Sequence, residues 1–189
     1  MRSVLIPLAE GFEEIEAVCV IDVLRRAGIE VVTAGLRPGP VTASRRVVVV
    51  PDATLDQAMT RDFDMLVLPG GGPGVENLRA DPRIRRLLER YLQPDRSVGA
   101  ICAAPTILAA TGHLAGRQAT SYPSARGPVA AAAAAYREDA VVVDGNLVTS
   151  RGPGTAIAFG LALVEMLAGR SRRDEVAAGL VLAGSGTGT

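Results

Sequence analysis

The chain contains no lysine, and its 20 positively charged side chains are all arginines. Without a lysine amine no side-chain Schiff base can form, which excludes lysine-dependent aldolase and pyridoxal phosphate chemistry. A P-loop is excluded as well, since its lysine follows the second glycine. Histidine occurs once, as His113, in a Thr-Gly-His-Leu segment that indicates a surface loop. Any catalysis must therefore use cysteine, acidic residues, tyrosine, arginine or this one histidine.

Cysteine is also scarce, with only Cys19 and Cys102 in the chain. Two distant cysteines form neither a disulfide framework nor a zinc site, and they favour a reducing, cytoplasmic setting. The formal net charge is zero, so specific binding of nucleic acid is not expected. No membrane partner is expected either, because the apolar stretch Ala156–Ala168 is too short to span a bilayer and contains Glu165.

Length and composition predict one domain over residues 1–183, followed by a flexible tail at 184–189 that is rich in glycine, serine and threonine. Short apolar runs alternate with helical patterns along the chain. The predicted strands are residues 4–8, 29–36, 63–68 and 98–102, a strand pair or extended arm at 41–50, and a hairpin at 140–150. The predicted helices are residues 13–27, 54–59, 82–92, 155–168 and 174–183, one starting at Pro105, and the alanine run 130–135.

The predicted strands are continuous apolar runs rather than alternating patterns. Such runs fit a mainly parallel sheet that is covered by helices on both faces, a doubly wound α/β sandwich. In these sheets ligands bind at the carboxyl ends of the strands. Four turns fall there, at residues 9–14, 69–74, 102–105 and 151–155, and functional residues are expected among them.

Cys102 stands where a buried strand passes into a helix with almost no loop. Only small residues follow it, which suits a strained elbow that presents the sulfur to the crevice. The amides of Ala103 and Ala104 would then point at the sulfur, and the helix N-terminus would lower the thiol pKa and create a nucleophilic thiolate. The alternative is a small buried side chain without chemistry. Cys19 lies within a predicted helix and is assigned to core or interface packing.

The glycine-rich turn 69–74 fits a dinucleotide-binding motif poorly in its spacing and does not follow the first strand. We expect instead that its glycines let the backbone approach a reacting centre, with the N–H of Gly71 joining that of Ala103 in an oxyanion hole. A tight turn without a ligand remains the other interpretation.

Three acidic residues open the first predicted helix. Carboxylates are stabilised at a helix N-terminus, so Glu13 and Glu14 are assigned a structural role. Glu16 differs because it lies between Ile15 and Ala17, where the apolar face begins. If Glu16 points into the crevice, burial and a nearby thiolate would raise its pKa and let it move protons.

Five segments resemble, in order, motifs of the ThiJ/PfpI superfamily, and within it the branch of the parkinsonism-associated protein deglycase and the bacterial YajL-type proteins. The segments are AEGFEEIE at 9–16, DVLRRAG at 22–28, LPGG at 68–71, AICAAP at 100–105 and TSRGPGT at 149–155. The resemblance covers nearly the whole chain. It implies a flavodoxin-like sandwich, of the class I glutamine amidotransferase type, and homodimers with the active site near the interface.

The resemblance also implies roles for single residues. Cys102 matches the nucleophilic, oxidation-sensitive cysteine and Glu16 the buried glutamate that hydrogen-bonds it. Gly71 and Ala103 match amides around the site. Further positions are implied at the rim of the site and at the interface: an anion-holding arginine at Arg45, an interface residue at Asp22, and an interface or supporting position at Pro153.

The chain departs from the pattern at Tyr122, where close relatives often carry a histidine. Ala103 stands where the peptidase branch has a histidine, and the downstream His–Glu pair of the amidotransferases is missing, so peptidase activity is not expected. The leading hypothesis is a glyoxalase (lyase) or deglycase (hydrolase) that acts on small 2-oxoaldehydes such as methylglyoxal or on their early adducts with thiols and amines. It needs no metal or other cofactor and uses Tyr122 as a hydrogen-bond donor. The alternative is an oxidative-stress sensor or redox-regulated chaperone that works through oxidation of Cys102.

Overall fold

The computed structural model describes residues 1–182, and the predicted tail at 184–189 lies outside them. The strands in this part of the chain are β1 (Ser3–Leu8), β2 (Glu30–Gly35), β3 (Val41–Thr42), β4 (Val48–Val49), β5 (Ala53–Thr54), β6 (Met65–Leu68), β7 (Ser97–Ile101), β8 (Gln118–Ala119), β9 (Ala135–Tyr136), β10 (Val141–Asp144) and β11 (Leu147–Ser150). The helices are α1 (Glu14–Arg26), α2 (Leu55–Ala58), α3 (Gly72–Ala80), α4 (Pro82–Tyr91), α5 (Pro105–Ala110), α6 (Arg126–Ala132), α7 (Ala156–Ala168) and α8 (Arg170–Gly179), with 3-10 turns at Pro123–Ala125 and Pro153–Thr155.

Seven strands form the central sheet in the order β10-β11-β7-β6-β1-β2-β5. All neighbouring strands in it are parallel except β10 and β11, which form the predicted antiparallel hairpin. All six residues of β1 are buried, as expected of a strand that is covered on both faces. The prediction of a doubly wound, mainly parallel sandwich is confirmed.

Helices cover both faces of this sheet. On one face α1, α7 and α8 pack against side chains such as Val4 and Ile6, and on the other α2 to α6 pack around residues such as Leu5. The helices α1 and α7 meet at Gly160, where a Cβ would lie 3.0 Å from a methyl carbon of Val23. This close contact fixes α1, which carries Glu16.

Several local predictions were wrong. Residues 69–74 were expected to be a turn, but α3 begins within it at Gly72 because Val75 and Leu78 bury its face and Gly74 N–H bonds the Gly11 carbonyl (3.2 Å). The alanine run does not stay helical to residue 135, since Ala135 pairs with β8. The last helix starts at 170 rather than 174, and the short strands β5, β8 and β9 were not expected, because two-residue pairings depend on tertiary contacts.

The topology brings the site-forming turns together. The strands β1, β6 and β7 are adjacent and parallel, so the segments that follow them lie at one edge of the sheet. These segments carry Glu16, Gly70 and Cys102, respectively. No helix within residues 1–182 combines the length and apolar character needed to cross a bilayer.

Candidate active site

Cys102 occupies a strained elbow directly after β7. Its φ is +66°, in the left-handed region that non-glycine residues rarely adopt and that costs of order 1–3 kcal/mol. Its N–H donates to the Ser150 carbonyl (2.9 Å), and its own carbonyl accepts from the Tyr122 N–H (2.8 Å). The backbone is therefore held on both sides, and the thiol is 91% buried, with 9% of the residue exposed.

Two backbone amides, those of Gly71 and Ala103, hydrogen-bond the sulfur and act to lower the Cys102 pKa. The expectation that Ala104 does the same is wrong, because its N–H donates to the Ile101 carbonyl (3.0 Å) and closes the turn. The amides of Gly71 and Ala103 therefore contact the sulfur as the sequence predicted, whereas the amide of Ala104 does not.

Glycines allow this close approach of backbone and thiol. A Cβ on Gly70 would lie 2.6 Å from the Cys102 Cβ and 3.0 Å from its Sγ. Gly71 has a φ of +91°, and a Cβ there would lie 2.6 Å from the Glu13 nitrogen. The glycine-rich turn therefore makes room for the reactive side chains.

Glu16 projects from the first turn of α1 and is completely buried. Its Oε2 accepts a hydrogen bond from the Gly70 N–H (2.7 Å), and its carboxyl group hydrogen-bonds the Cys102 side chain. Its Oε1 is buried without a hydrogen-bond partner among the described residues. Burial raises the pKa of Glu16 to about 7, against the opposing effect of the bonds from Cys102 and Gly70.

Burial also raises the pKa of Cys102 to about 12, together with the negative charge of Glu16. The expectation that a helix N-terminus lowers this pKa is wrong, because desolvation and the facing carboxylate outweigh the two amides. The two groups titrate as a pair. Because the carboxyl has the lower pKa, the pair loses its first proton near neutral pH and Glu16 then carries the negative charge.

The other acidic residues of the first turn have structural contacts. The Ser44 hydroxyl donates to Glu13 (2.7 Å) and to Glu14 (2.8 Å), and the Arg45 N–H donates to Glu14 (2.7 Å). These bonds tie α1 to the arm formed by β3 and β4. The Arg45 guanidinium is exposed and donates a hydrogen bond to the carbonyl of its neighbour Ser44 (3.4 Å) rather than to the thiol.

The remaining predicted site residues are partly or fully exposed. Tyr122 is 44% exposed, and its ring covers Gly152, where a Cβ would lie 3.0 Å from it. Pro153 is half-buried at the start of a 3-10 turn. Asp22 is exposed on α1 and pairs with Arg26 (2.6 Å).

Outside this site, His113 is half-buried, and its Nδ1 hydrogen-bonds the Thr111 hydroxyl (2.7 Å) in the predicted loop. Cys19 is half-buried against the core between α1 and α7, and burial raises its thiol pKa. Sequence reasoning missed two backbone contributors, Gly70 and Ser150. The Pro-Gly-Gly segment after β6 was a signal for Gly70, whereas the role of Ser150 depends on pairing of β7 with β11.

A doubly wound sandwich with a thiol on a strained elbow, two amides at its sulfur and a buried carboxyl beside it defines a protein class built around a reactive cysteine. Residues 2–166 match the sequence model of the DJ-1/PfpI family, and the chain belongs to this family.

Three relatives illustrate the match, each covered over almost its full length. Protein dj-1beta of Drosophila melanogaster is 46% identical over 184 residues, covering 96% of this chain and 98% of the relative. Its crystal structure has a TM-score of 0.92, at 44% identity and the same coverage of both chains. Glutathione-independent glyoxalase DJR-1.2 of Caenorhabditis elegans is 37% identical, covering 96% of this chain and 97% of the relative. A structure described as Toxoplasma gondii DJ-1, oxidized, has a TM-score of 0.91 at 36% identity, covering 97% of this chain and 100% of that one.

The charge of the facing carboxylate predicts the effect of Glu16→Gln on thiolate formation. In the native protein burial, and after it the charge and hydrogen bond of Glu16, raise the pKa of Cys102 to about 12, and in the variant the charge is absent. We expect the midpoint of thiolate formation to fall in the variant. The ultraviolet absorbance of the thiolate and the rate of iodoacetamide alkylation against pH measure this midpoint, in a Cys19→Ser background. A midpoint that is unchanged or higher in the variant would contradict the opposing effect of the carboxylate.

The raised pKa of Glu16 also predicts a stability change with pH. The ordinary pKa of Glu16 is 4.5, and its pKa in the folded chain is about 7. Between these two pH values the unfolded chain binds fewer protons at this residue than the folded chain. The free energy of unfolding therefore falls as pH rises through this window, by up to about 3 kcal/mol. In Glu16→Gln this contribution is absent. Urea unfolding at pH 5 and pH 8 should show a larger loss for the native protein than for the variant, and parallel losses would contradict the assignment.

Proposed function

We propose that the protein is a cofactor-independent glyoxalase or deglycase that acts through Cys102 on methylglyoxal-type 2-oxoaldehydes or their early adducts with thiols and amines. The observation that carries this proposal is the contact of the thiol with a buried carboxyl and two amides in one dry pocket. The relative named a glutathione-independent glyoxalase supports it. The two unpaired cysteines favour a reducing, cytoplasmic compartment, where Cys102 stays available.

In the first step the Cys102 thiolate adds to the aldehyde carbon and forms a hemithioacetal, while Glu16 holds the proton that the thiol gave up. The oxygen that gains negative charge accepts hydrogen bonds from the amides of Gly71 and Ala103, which already point at the sulfur. Tyr122, at the exposed rim, is the hydrogen-bond donor proposed in place of a histidine.

In the second step Glu16 first passes the thiol's proton to the new oxygen. It then takes the proton from the carbon bound to sulfur and returns it to the neighbouring carbon through an enediol, while the hydroxyl proton moves from the first oxygen to the second. Its Oε1, which has no partner among the described residues, is free to accept that proton. The product is a lactoyl thioester on Cys102. Water hydrolyses the thioester, which releases lactate and restores the thiol, so methylglyoxal and water become lactic acid without any redox partner.

Lactate formation from methylglyoxal tests this proposal. We expect the purified protein to produce lactate, Cys102→Ser to produce none, and Glu16→Gln to lose about 10²- to 10⁴-fold in kcat, the range for loss of a general acid–base. Arg85→Gln, which breaks an exposed pair with Glu89 on α4, is the matched control and should keep full activity.

A redox sensor is the second candidate, because the amides and a protonated Glu16 would also hold a Cys102 sulfinate. The relative whose structure is described as oxidized supports it. Mild peroxide followed by intact mass measurement separates the two functions. A gain of two oxygens at Cys102, together with no lactate above the Cys102→Ser control, favours the sensor and defeats the glyoxalase proposal.

We further propose a homodimer formed through the outer face of α1. Ile15 and Val18 lie three residues apart on this face, and they are 56% and 46% exposed. The nearby arm adds Val48 and Val50, 60% and 75% exposed. Large apolar side chains that lie exposed together on one surface are typical of a contact surface.

The mass in solution tests this dimer. We expect the native protein to have twice the mass of the chain by light scattering, and Ile15→Asp to shift it to the monomer, because a charge would be buried in the contact. Val143→Asp is the control, since Val143 is equally exposed (56%) but lies on the sheet edge at β10. An unchanged mass in Ile15→Asp would place the contact elsewhere or rule it out.

A further inference from the structure

A groove lies beside the candidate active site, between α3, α5 and α6. It begins at Gly72 and Ala103, which follow Gly71 at the sulfur and Cys102 itself. One face of α3, including Glu76 and Arg79, forms one wall, and Ala125 lies in the opposite wall. The groove has a volume of about 440 Å³. This size suits a small organic ligand and is much more than a three-carbon aldehyde fills.

The charges in this groove come from a single ion pair. Arg79 and Glu76 lie three residues apart on α3, and their side chains are in contact with each other while 45% and 63% exposed. Exposed pairs of this kind contribute little to stability and exchange partners readily. A guanidinium offers two parallel N–H donors that match a carboxylate. A ligand carboxylate in the groove can therefore replace Glu76 as the partner of Arg79.

We propose that this groove binds an adduct between a 2-oxoaldehyde and a small thiol. The thiol-derived part of the adduct, called the carrier, lies in the groove, and Arg79 binds its carboxylate. The carrier is of amino-acid size, which fits a groove of this volume, and the reacting carbons lie at the Cys102 end. This inference rests on the proposed function and assigns Arg79 as the residue that distinguishes carboxylate-bearing thiol adducts from uncharged ones.

The chemistry balances without a further reactant. Glu16 moves the proton between the two reacting carbons of the carrier hemithioacetal, which converts it into a carrier lactoyl thioester. The Cys102 thiolate then attacks the thioester carbonyl, the bond from carbon to the carrier sulfur breaks, and the carrier leaves as a thiol after gaining a proton. Water hydrolyses the lactoyl group from Cys102. The sum is adduct and water to carrier thiol and lactic acid.

Two variants with opposite expected effects test the role of Arg79. The substrates are methylglyoxal premixed with N-acetylcysteine, which has a carboxylate, or with N-acetylcysteine amide, which is uncharged. With the acid adduct, Arg79→Gln should raise KM about tenfold, whereas Glu76→Gln should lower it by freeing the guanidinium. With the amide adduct and with methylglyoxal alone, both variants should match the native protein.

Arg85→Gln on α4 is the control for the loss of an exposed ion pair between arginine and glutamate. Equal effects on acid and amide, or the same direction in both variants, would overturn the proposal.

A stable analogue separates this inference from the proposed function. S-acetonyl-N-acetylcysteine and its amide carry the same carrier on a thioether that cannot react. Titration calorimetry on the Cys102→Ser protein should show tighter binding of the acid, and adding Arg79→Gln should remove the difference. If the native protein makes no lactate but this difference is found, the glyoxalase proposal fails and the carrier site stands. If lactate forms but the acid and amide bind alike, the carrier site is overturned and the glyoxalase proposal stands.

Discussion

The contact between the fully buried Glu16 carboxyl and the Cys102 thiol is the interaction on which the site depends. The pair exists only if the first turn of α1 reaches the end of β6, and Gly70 makes that junction with both of its backbone groups. Its N–H donates to the Glu16 carboxyl (2.7 Å), and its carbonyl accepts from the Glu13 N–H (3.0 Å). A side chain at Gly70 would collide with the thiol, so the same residue joins two elements and leaves room for the chemistry.

The surrounding fold holds features that would be unfavourable alone. A left-handed cysteine and a fully buried carboxyl each oppose folding. The backbone bonds to Ser150 and Tyr122 hold the elbow, and the close packing of α1 on α7 at Gly160 holds the carboxyl in place. Because rigid strands and helices carry these contacts, the site is arranged before a substrate arrives, and little reorganisation is needed during reaction.

Much of this architecture could be predicted from the sequence because its signals are local. Continuous apolar runs predicted β1, β6 and β7, and the small residues after Cys102 predicted the elbow. The start of α3 could not be predicted, because Gly72 and Gly74 favour turns and the helix depends on a contact with Gly11. The direction of the Cys102 pKa was also missed. It depends on burial and on a carboxyl that is distant in the chain, and neither is visible in the residues next to the cysteine.

The pair of groups also limits which reactions the thiol can perform. Hydrolysis of a peptide bond needs a base that activates the thiol and an acid that protonates a poor amine leaving group. The single histidine, His113, is bonded to Thr111 in a loop and follows α5. Within residues 1–182, Glu16 is the titratable side chain that contacts Cys102, and its raised pKa suits both uptake and release of a proton near neutral pH. Aldehydes add a thiolate reversibly, without a leaving group, and then need one proton moved between adjacent carbons. A carboxyl whose Oε1 has no hydrogen-bond partner among the described residues can move such a proton, so the buried pair supports the small-carbonyl chemistry proposed above.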